Sequence, residues 1–493
     1  MGGDARAVPR SAGLTGMGMA LQREACLIDG EWVSGDDWII VDNPATGAVL
    51  GRVPKLGREE TERAIAAAER AQPAWSALLA ADRARILRRF HDLMIERIDD
   101  LAALLTAEQG KPIVEAKGEI RYAAAFIEWY AEEAKRIYGE VVPPHAADKR
   151  IIVLKQPIGV VAAITPWNFS AAMITRKIGP ALAAGCTAIV KPASQTPFTA
   201  LAIAALAEEA GIPAGVLNVV TGGAADIGGA LLDSPAVRKL SFTGSTEVGA
   251  VLYARSAPTI KKLSLELGGN APFIVFSDAD IDAAVEGAIA SKFRNAGQTC
   301  VCANRLYAQA DIYDAFVARL AEAAAALRVG DGRAADTQIG PLIDAAAVAK
   351  VEEHVADALD KGGAIVTGGR RGPFGDRYYV PTVIRDVTQD MLVTREETFG
   401  PVAPVIRFER DEDVVAMANA TPFGLAAYFY ARDIGRIWKV AEAIEAGIVG
   451  VNTGLISTEV APFGGVKLSG LGREGSRHGI EEYLEIKYVC LGF

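Results

Sequence analysis

From Gly159 the chain settles into a repeated unit, a short aliphatic run followed by an alanine-rich stretch or a turn, and this rhythm leaves few folds open. Val160 to Ile164, Ala188 to Lys191, Val216 to Val220, Lys239 to Phe242 and Lys262 to Glu266 read as strands. Apolar runs of this kind belong to strands buried on both faces, so the pattern predicts a parallel sheet with helices on each side. Ligands of such sheets gather at the carboxyl ends of the strands. Polar residues stand there: Thr165 to Asn168, Lys191 to Ser194 and Gly244 to Gly249. After Pro272 to Phe276 the alternation resumes through about Val451, which predicts a second α/β unit. A boundary near Gly268-Gly269 places a cleft between the two, where active sites commonly form. With 493 residues, 51% hydrophobic and 23% charged, the chain is long enough for two or three domains.

The flanking segments are of a different kind. Cys26 to Val41 alternates and reads as short strands in a hairpin. Glu59 to Gln109 is helical, with Ile86, Phe90, Leu93, Met94, Ile98, Leu101 and Leu104 mostly at three- and four-residue steps and Gly110 and Pro112 as the stop. These helices read as packing, and a further helix covers about Val114 to Tyr138. Pro143-Pro144 then precedes an extended segment, Arg150 to Gln156. Tyr483 to Cys490 alternates with Leu484, Ile486 and Tyr488 on one face, an edge strand that another chain would cover. Residues 1–20 read as a loose extension. The net charge of −10 argues against a nucleic-acid surface. No apolar run is long enough for a membrane span, and five irregularly spaced cysteines suggest neither disulfides nor zinc, so a reducing cytoplasm is expected.

The chemistry concentrates in Lys292 to Asn304, K-F-R-N-A-G-Q-T-C-V-C-A-N. Cys300, in a polar segment six residues after Arg294, can be held exposed and lose its proton, as a covalent nucleophile must. A lone cysteine is more often a small buried hydrophobe, and Cys302 is read in that way. Cys300 is not alone: Glu266 stands in L-E-L-G-G-N and Asn168 in T-P-W-N-F-S. With only four histidines, none in a motif, Glu266 is the credible general base.

These motifs resemble those of the aldehyde dehydrogenase superfamily over about residues 24–493. The resemblance implies Cys300 as nucleophile, Glu266 as base and Asn168 as an oxyanion donor. The fold it implies is α/β: a Rossmann-like cofactor domain (21–138 and 157–268), an α/β catalytic domain (269–468) and a small β-extension (139–156 and 469–493) that joins subunits into a homodimer or homotetramer. No G-x-G-x-x-G fingerprint is present. By resemblance Phe242, Thr243, Gly244 and Ser245 meet the dinucleotide pyrophosphate at a helix start. Thr165, Pro166 and Trp167 line the nicotinamide side with Leu267 near the base, Lys191 reaches the adenosine ribose, and Glu397 and Phe399 hold the nicotinamide ribose. Many NAD-preferring relatives carry Glu where this chain has Ser194. A small hydroxyl beside Lys191 leaves room and charge for a 2′-phosphate, so NADP is expected, with NAD as the alternative.

Arg176 in M-I-T-R-K, Arg294, and Ser457 on the loop that lines the family's aldehyde tunnel form a set able to clamp a carboxylate. This constellation is similar to that of the family's bacterial branch acting on short semialdehyde acids. The expected reaction is oxidation of succinic semialdehyde to succinate, with glutarate semialdehyde as the nearest alternative. Glu266 speaks against a CoA-acylating relative, and Cys300, Glu266 and Asn168 together speak against a non-catalytic scaffold.

Overall fold

The computed structural model describes residues 20–493, so the extension expected at the start of the chain lies, but for Ala20, outside the described residues. All five predicted strands are present. They form the core of an eight-stranded sheet ordered Glu31–Val33, Cys26–Ile28, Leu217–Val219, Thr187–Lys191, Val160–Ile164, Val237–Thr243, Lys262–Glu266, Gly470–Leu471. Five strands, Leu217–Val219 to Lys262–Glu266, are parallel; the hairpin Cys26–Ile28/Glu31–Val33 closes one side and the antiparallel Gly470–Leu471 the other. Register does the positioning: Ile164 lies beside both Lys191 and Phe242, and Thr243 beside Glu266. Four carboxyl ends thus stop at one level, and the polar residues that follow them share one rim.

The pattern read as one helical run is three helices, Arg58–Ala77, Ala80–Glu96 and Ile98–Gln109, followed by Ile113–Glu133. Leu78 and Leu79 turn extended, and Arg97 breaks the second junction. Phe90, Leu93, Met94, Leu101 and Leu104 all enter the same core, so the apolar periodicity carries across the breaks. Gly110 stops the run in a left-handed conformation, φ 93°, which costs glycine little. The helix Ala172–Ala184 is buried along its whole length, as an element that is apolar almost all round must be.

A second, seven-stranded sheet is ordered Ala364–Thr367, Thr382–Arg385, Val402–Phe408, Ala303–Gln309, Ala271–Val275, Ala426–Tyr430, Ile448–Val451, parallel except at its first pair. It has a core of its own. After this sheet the tail returns to the first: Gly470 pairs with Glu266. Only then does Leu484–Gly492 join Lys149–Pro157 and Glu140–Val142 in a three-stranded antiparallel sheet, with Leu484–Gly492 at one edge. Leu484 is buried, whereas Ile486 and Tyr488 are about 70% exposed and Val141 85%. The alternating strand therefore starts in the core and runs out of it. Among the described residues no helix is long and apolar enough to cross a membrane, and the five cysteines are free.

Candidate active site

The helix Ile281–Lys292, capped by Asp280 through the amides of Asp282 and Ala283, delivers the chain to the cysteine loop. There Asn295, Ala296 and Gly297 take positive φ angles of 52°, 55° and 76°. Three such residues in a row are costly for L-amino acids and persist only where the surroundings hold them. Gln298 does much of that holding. Its Nε2 donates to the carbonyls of Asn295 (3.1 Å) and Pro341 (3.4 Å), and its Oε1 accepts from the amide of Ile343 (2.9 Å). Cys300 emerges half-buried, and its carbonyl oxygen would lie 2.4 Å from a Cβ added at Gly269. Only glycine at 269 lets the strand end carrying Glu266 approach the cysteine loop so closely. Cys302 is buried, with Sγ 3.3 Å from the carbonyl of Gly297 and 3.8 Å from Lys292 Nζ.

Asn168 follows the strand Val160–Ile164 and bridges to the same loop, its Nδ2 donating to the carbonyl of Gln298 at 3.1 Å. A carboxamide has two N–H donors, so one is left for a ligand. Glu266 ends its strand with the carboxyl group buried; Oε2 has no hydrogen-bond partner. Burial, and then the charge of Glu474, push its pKa well above the carboxylate range, against the opposing pull of Arg176 and Lys177. The Cys300 thiol is likewise pushed up to about 12, chiefly by burial, with Glu397 and Glu266 adding to the rise and Arg176 opposing it. At rest the site therefore holds a neutral thiol within electrostatic reach of a proton-hungry carboxyl. Since a thiol with so high a pKa gains thiolate in proportion to hydroxide, alkylation of Cys300 by iodoacetamide is expected to accelerate about tenfold per pH unit between pH 7 and 9. Mass spectrometry of the Cys300 peptide reads this; a rate already flat by pH 8 would show a thiolate formed at rest.

The rim around this centre can hold an anionic dinucleotide. Lys191 is buried, its Nζ donates to the carbonyl of Pro192 at 3.3 Å, and burial lowers its pKa. Ser194, half-buried, lies three residues on. Thr165 Oγ1 is buried with no partner. Ser245 caps the helix Thr246–Ser256, its Oγ accepting from the amide of Val248 at 3.3 Å, and the first-turn N–H groups of such a helix suit phosphate. The ring of Phe242 fills the space where a side chain at Gly244 would sit, 2.3 Å from an added Cβ, and Leu267 does the same at Gly249, 2.4 Å. On the other wall Trp167 and Phe399 meet edge-to-face at 5.6 Å, and Glu397, raised to about 7 by burial, accepts from the amide of Gly269 at 3.3 Å. Pro166 is half-buried beside Trp167.

The two arginines read as a pair differ in state. Arg176 is 1% exposed, lies 3.9 Å over the ring of Phe463, and places Nη2 2.8 Å from Glu474 Oε2. Glu474 also takes Lys177, which donates to Thr243 Oγ1 at 2.7 Å. Arg176 thus has an internal counter-charge, although its Nε is left without a hydrogen-bond partner. Arg294 is half-buried over the ring of Phe169 (5.3 Å) and has no ion pair among the described residues. Ser457 is half-buried on the loop after Ile448–Val451. The early helices also support the site. The segment between and within the last two of them sends Lys111 and Glu119 beneath Asn168, with Lys111 Nζ 2.7 Å from its carbonyl oxygen. Neither they, Lys177 nor Glu474 sit in a motif that would mark them.

The family description "Aldehyde dehydrogenase family" matches residues 32–489. The chain is 64% identical to glutarate-semialdehyde dehydrogenase of Pseudomonas aeruginosa, over 96% of this chain and 98% of that one. It is also 64% identical, with the same coverage, to succinate-semialdehyde dehydrogenase [NADP(+)] of Escherichia coli. The crystal structure of succinate-semialdehyde dehydrogenase from Burkholderia pseudomallei superposes with a TM-score of 0.96 at 60% identity, covering 96% of this chain and 99% of that one. The chain belongs to the aldehyde dehydrogenase family.

Proposed function

We propose that this protein oxidises succinic semialdehyde to succinate with NADP, the same site accepting NAD less well. The observation that carries the substrate class is Arg294, a half-buried cation six positions before Cys300 with no carboxylate within 4.0 Å among the described residues, Glu115 lying only within electrostatic reach. Such a cation favours an aldehyde bearing a distal carboxylate, and the relatives named for succinate and glutarate semialdehydes are named for substrates of that kind. Ser457 and the unpartnered Nε of Arg176 offer further donors. Glutarate semialdehyde, longer by one methylene, is the second reading, favoured by the equal identity to the enzyme named for it. Initial rates with both aldehydes test the choice; the higher kcat/KM is expected for succinic semialdehyde.

In this mechanism the Cys300 thiol gives its proton to solvent and the thiolate adds to the aldehyde carbon, the carbonyl π pair moving onto oxygen. The free N–H of the Asn168 carboxamide and the Cys300 backbone N–H meet the oxyanion as its charge develops; one such donor contributes roughly 10²–10³ in rate. A dinucleotide held along the rim would supply the hydride acceptor for this adduct. A thioester is left on Cys300, and Glu266 takes the proton of the attacking water. Burial suits Glu266 to this task, because a carboxylate whose pKa is raised is a stronger base than a solvated one.

Lys191, Ser194, Ser245 and the amides that follow would hold the adenosine and phosphate end of the dinucleotide, and Thr165, Trp167, Glu397 and Phe399 the nicotinamide end. If Ser194 admits the 2′-phosphate, Ser194→Glu raises the KM for NADP far more than that for NAD, by like-charge repulsion. Equal changes in both would remove Ser194 from that role. We assign residues 21–138 and 157–268 to the cofactor domain and 269–468 to the catalytic domain. Residues 139–156 and 469–493 supply the surface that joins subunits, with the apolar side chains of Val141, Ile486 and Tyr488 exposed on its strands.

A further inference from the structure

We infer that the buried pair Lys111–Glu119 is a positioning element for the oxyanion-binding amide of Asn168, an inference that rests on the reading of Asn168 given above. The left-handed turn at Gly110 sends Lys111 into the core beneath the site. Its side chain is fully buried, with Nζ 2.6 Å from Glu119 Oε2, 2.7 Å from the carbonyl oxygen of Asn168 and 4.0 Å from the centre of the Phe169 ring. The other oxygen of Glu119 accepts from the amides of Ala171 (2.9 Å) and Ala172 (3.3 Å) at the start of the helix Ala172–Ala184. One charge grips the backbone at Asn168 and the other grips it three and four residues later, so the turn between them is clamped at both ends.

The clamp extends to the cysteine loop. Asn295 Nδ2 donates to the same Asn168 carbonyl at 3.0 Å, Gln109 Nε2 donates to Asn295 Oδ1 at 3.0 Å, and Glu115 Oε2 accepts from the Asn295 amide at 2.9 Å. The strained residue Asn295 and the oxyanion-hole residue Asn168 are therefore referenced to one short segment, residues 109–119. Stability alone gives little reason for an ion pair here, because well-packed apolar residues commonly replace a fully buried pair at no loss. Position does give a reason, since a donor displaced by about 1 Å from the oxyanion loses on the order of 10²-fold in rate.

The test is a double-mutant cycle. Lys111→Met/Glu119→Gln removes both charges together, so neither is left buried alone, and the carboxamide oxygen introduced by Glu119→Gln can still accept from the two amides. This variant, Asn168→Ala and their combination are compared for kcat with succinic semialdehyde and NADP, for NADP affinity and for Tm. The neutral pair is expected to lower kcat by roughly 10- to 100-fold with NADP affinity unchanged, and to cause no further loss in the Asn168→Ala background. If it does not fold, Glu119→Gln alone carries the same cycle with a smaller loss of kcat, again absent without Asn168. Wild-type kcat in the neutral pair, or losses that multiply in the combination, would overturn the inference while leaving the role of Asn168 intact. Wild-type kcat in Asn168→Ala would overturn the reading of Asn168 itself, and this inference with it.

Discussion

Cys300→Ala is expected to abolish aldehyde oxidation, whereas Glu266→Gln is expected to release one burst of reduced cofactor per site and then turn over about 10²–10⁴ times more slowly. The two differ because they stop different halves of the reaction. Without the thiol no carbonyl adduct forms, so no hydride leaves and no burst is seen. Without the carboxylate the adduct and the thioester still form, and hydrolysis alone stalls. The setting of Glu266 makes this contrast sharp. Its carboxyl group is buried, one oxygen has no hydrogen-bond partner, and the neighbouring ionisable groups Arg176, Lys177 and Glu474 tie up one another. Glu474 is held ionised by that pairing although burial opposes it, so Glu474 itself does not stand ready to take over as base. Rapid-quench or stopped-flow measurement of cofactor reduction distinguishes the two variants; steady-state turnover like that of the wild type in either would contradict the mechanism.

The second large effect is expected at Arg294. Truncation to alanine leaves a substrate carboxylate in the tunnel without its cation, at a cost of about 2 kcal/mol or more, roughly 30-fold or more in kcat/KM for succinic semialdehyde. Butanal, with no charge to meet, should lose far less. Arg176→Ala should behave differently, because Arg176 already answers Glu474 across 2.8 Å. Removing it strips a buried carboxylate of one of its two cations and takes away positive charge that lowers the pKa of both Cys300 and Glu266. Both aldehydes should then suffer. Steady-state kinetics of the two variants with the two aldehydes gives the comparison, and parallel losses in Arg294→Ala would assign that residue to the loop rather than to the substrate.

The strands of the eight-stranded sheet were legible because burial on both faces leaves short aliphatic runs, too short for a helix, that glycines, prolines and polar residues bound. The junctions at Leu78–Leu79 and Arg97 were not, since neither carries Gly or Pro and the helices on either side feed one core. Gly470–Leu471 is too short for any periodicity and becomes a strand only because Leu265 and Glu266 offer it an edge. The candidate site divides along the same line. Cys300, Glu266 and Asn168 could be picked out because each sits in a short contiguous motif that resembles one of the family's: Q-T-C-V-C, L-E-L-G-G-N and T-P-W-N-F-S. Lys177 and Glu474 stand 297 positions apart in sequence, and Lys111 meets Asn168 across 57; isolated charges of this kind acquire meaning only when the fold supplies the partner. The difference between Arg176 and Arg294 has the same origin, for in the sequence both are arginines near a motif, and Glu474 alone separates them.

The central claim is that the site selects an aldehyde with a distal carboxylate, and the most direct measurement is kcat/KM of the unmodified protein for succinic semialdehyde and for butanal at saturating NADP. An advantage of roughly 30-fold or more for the acid is predicted, the counterpart of the Arg294 contribution. Equal values for the two aldehydes, or a preference for butanal, would contradict it.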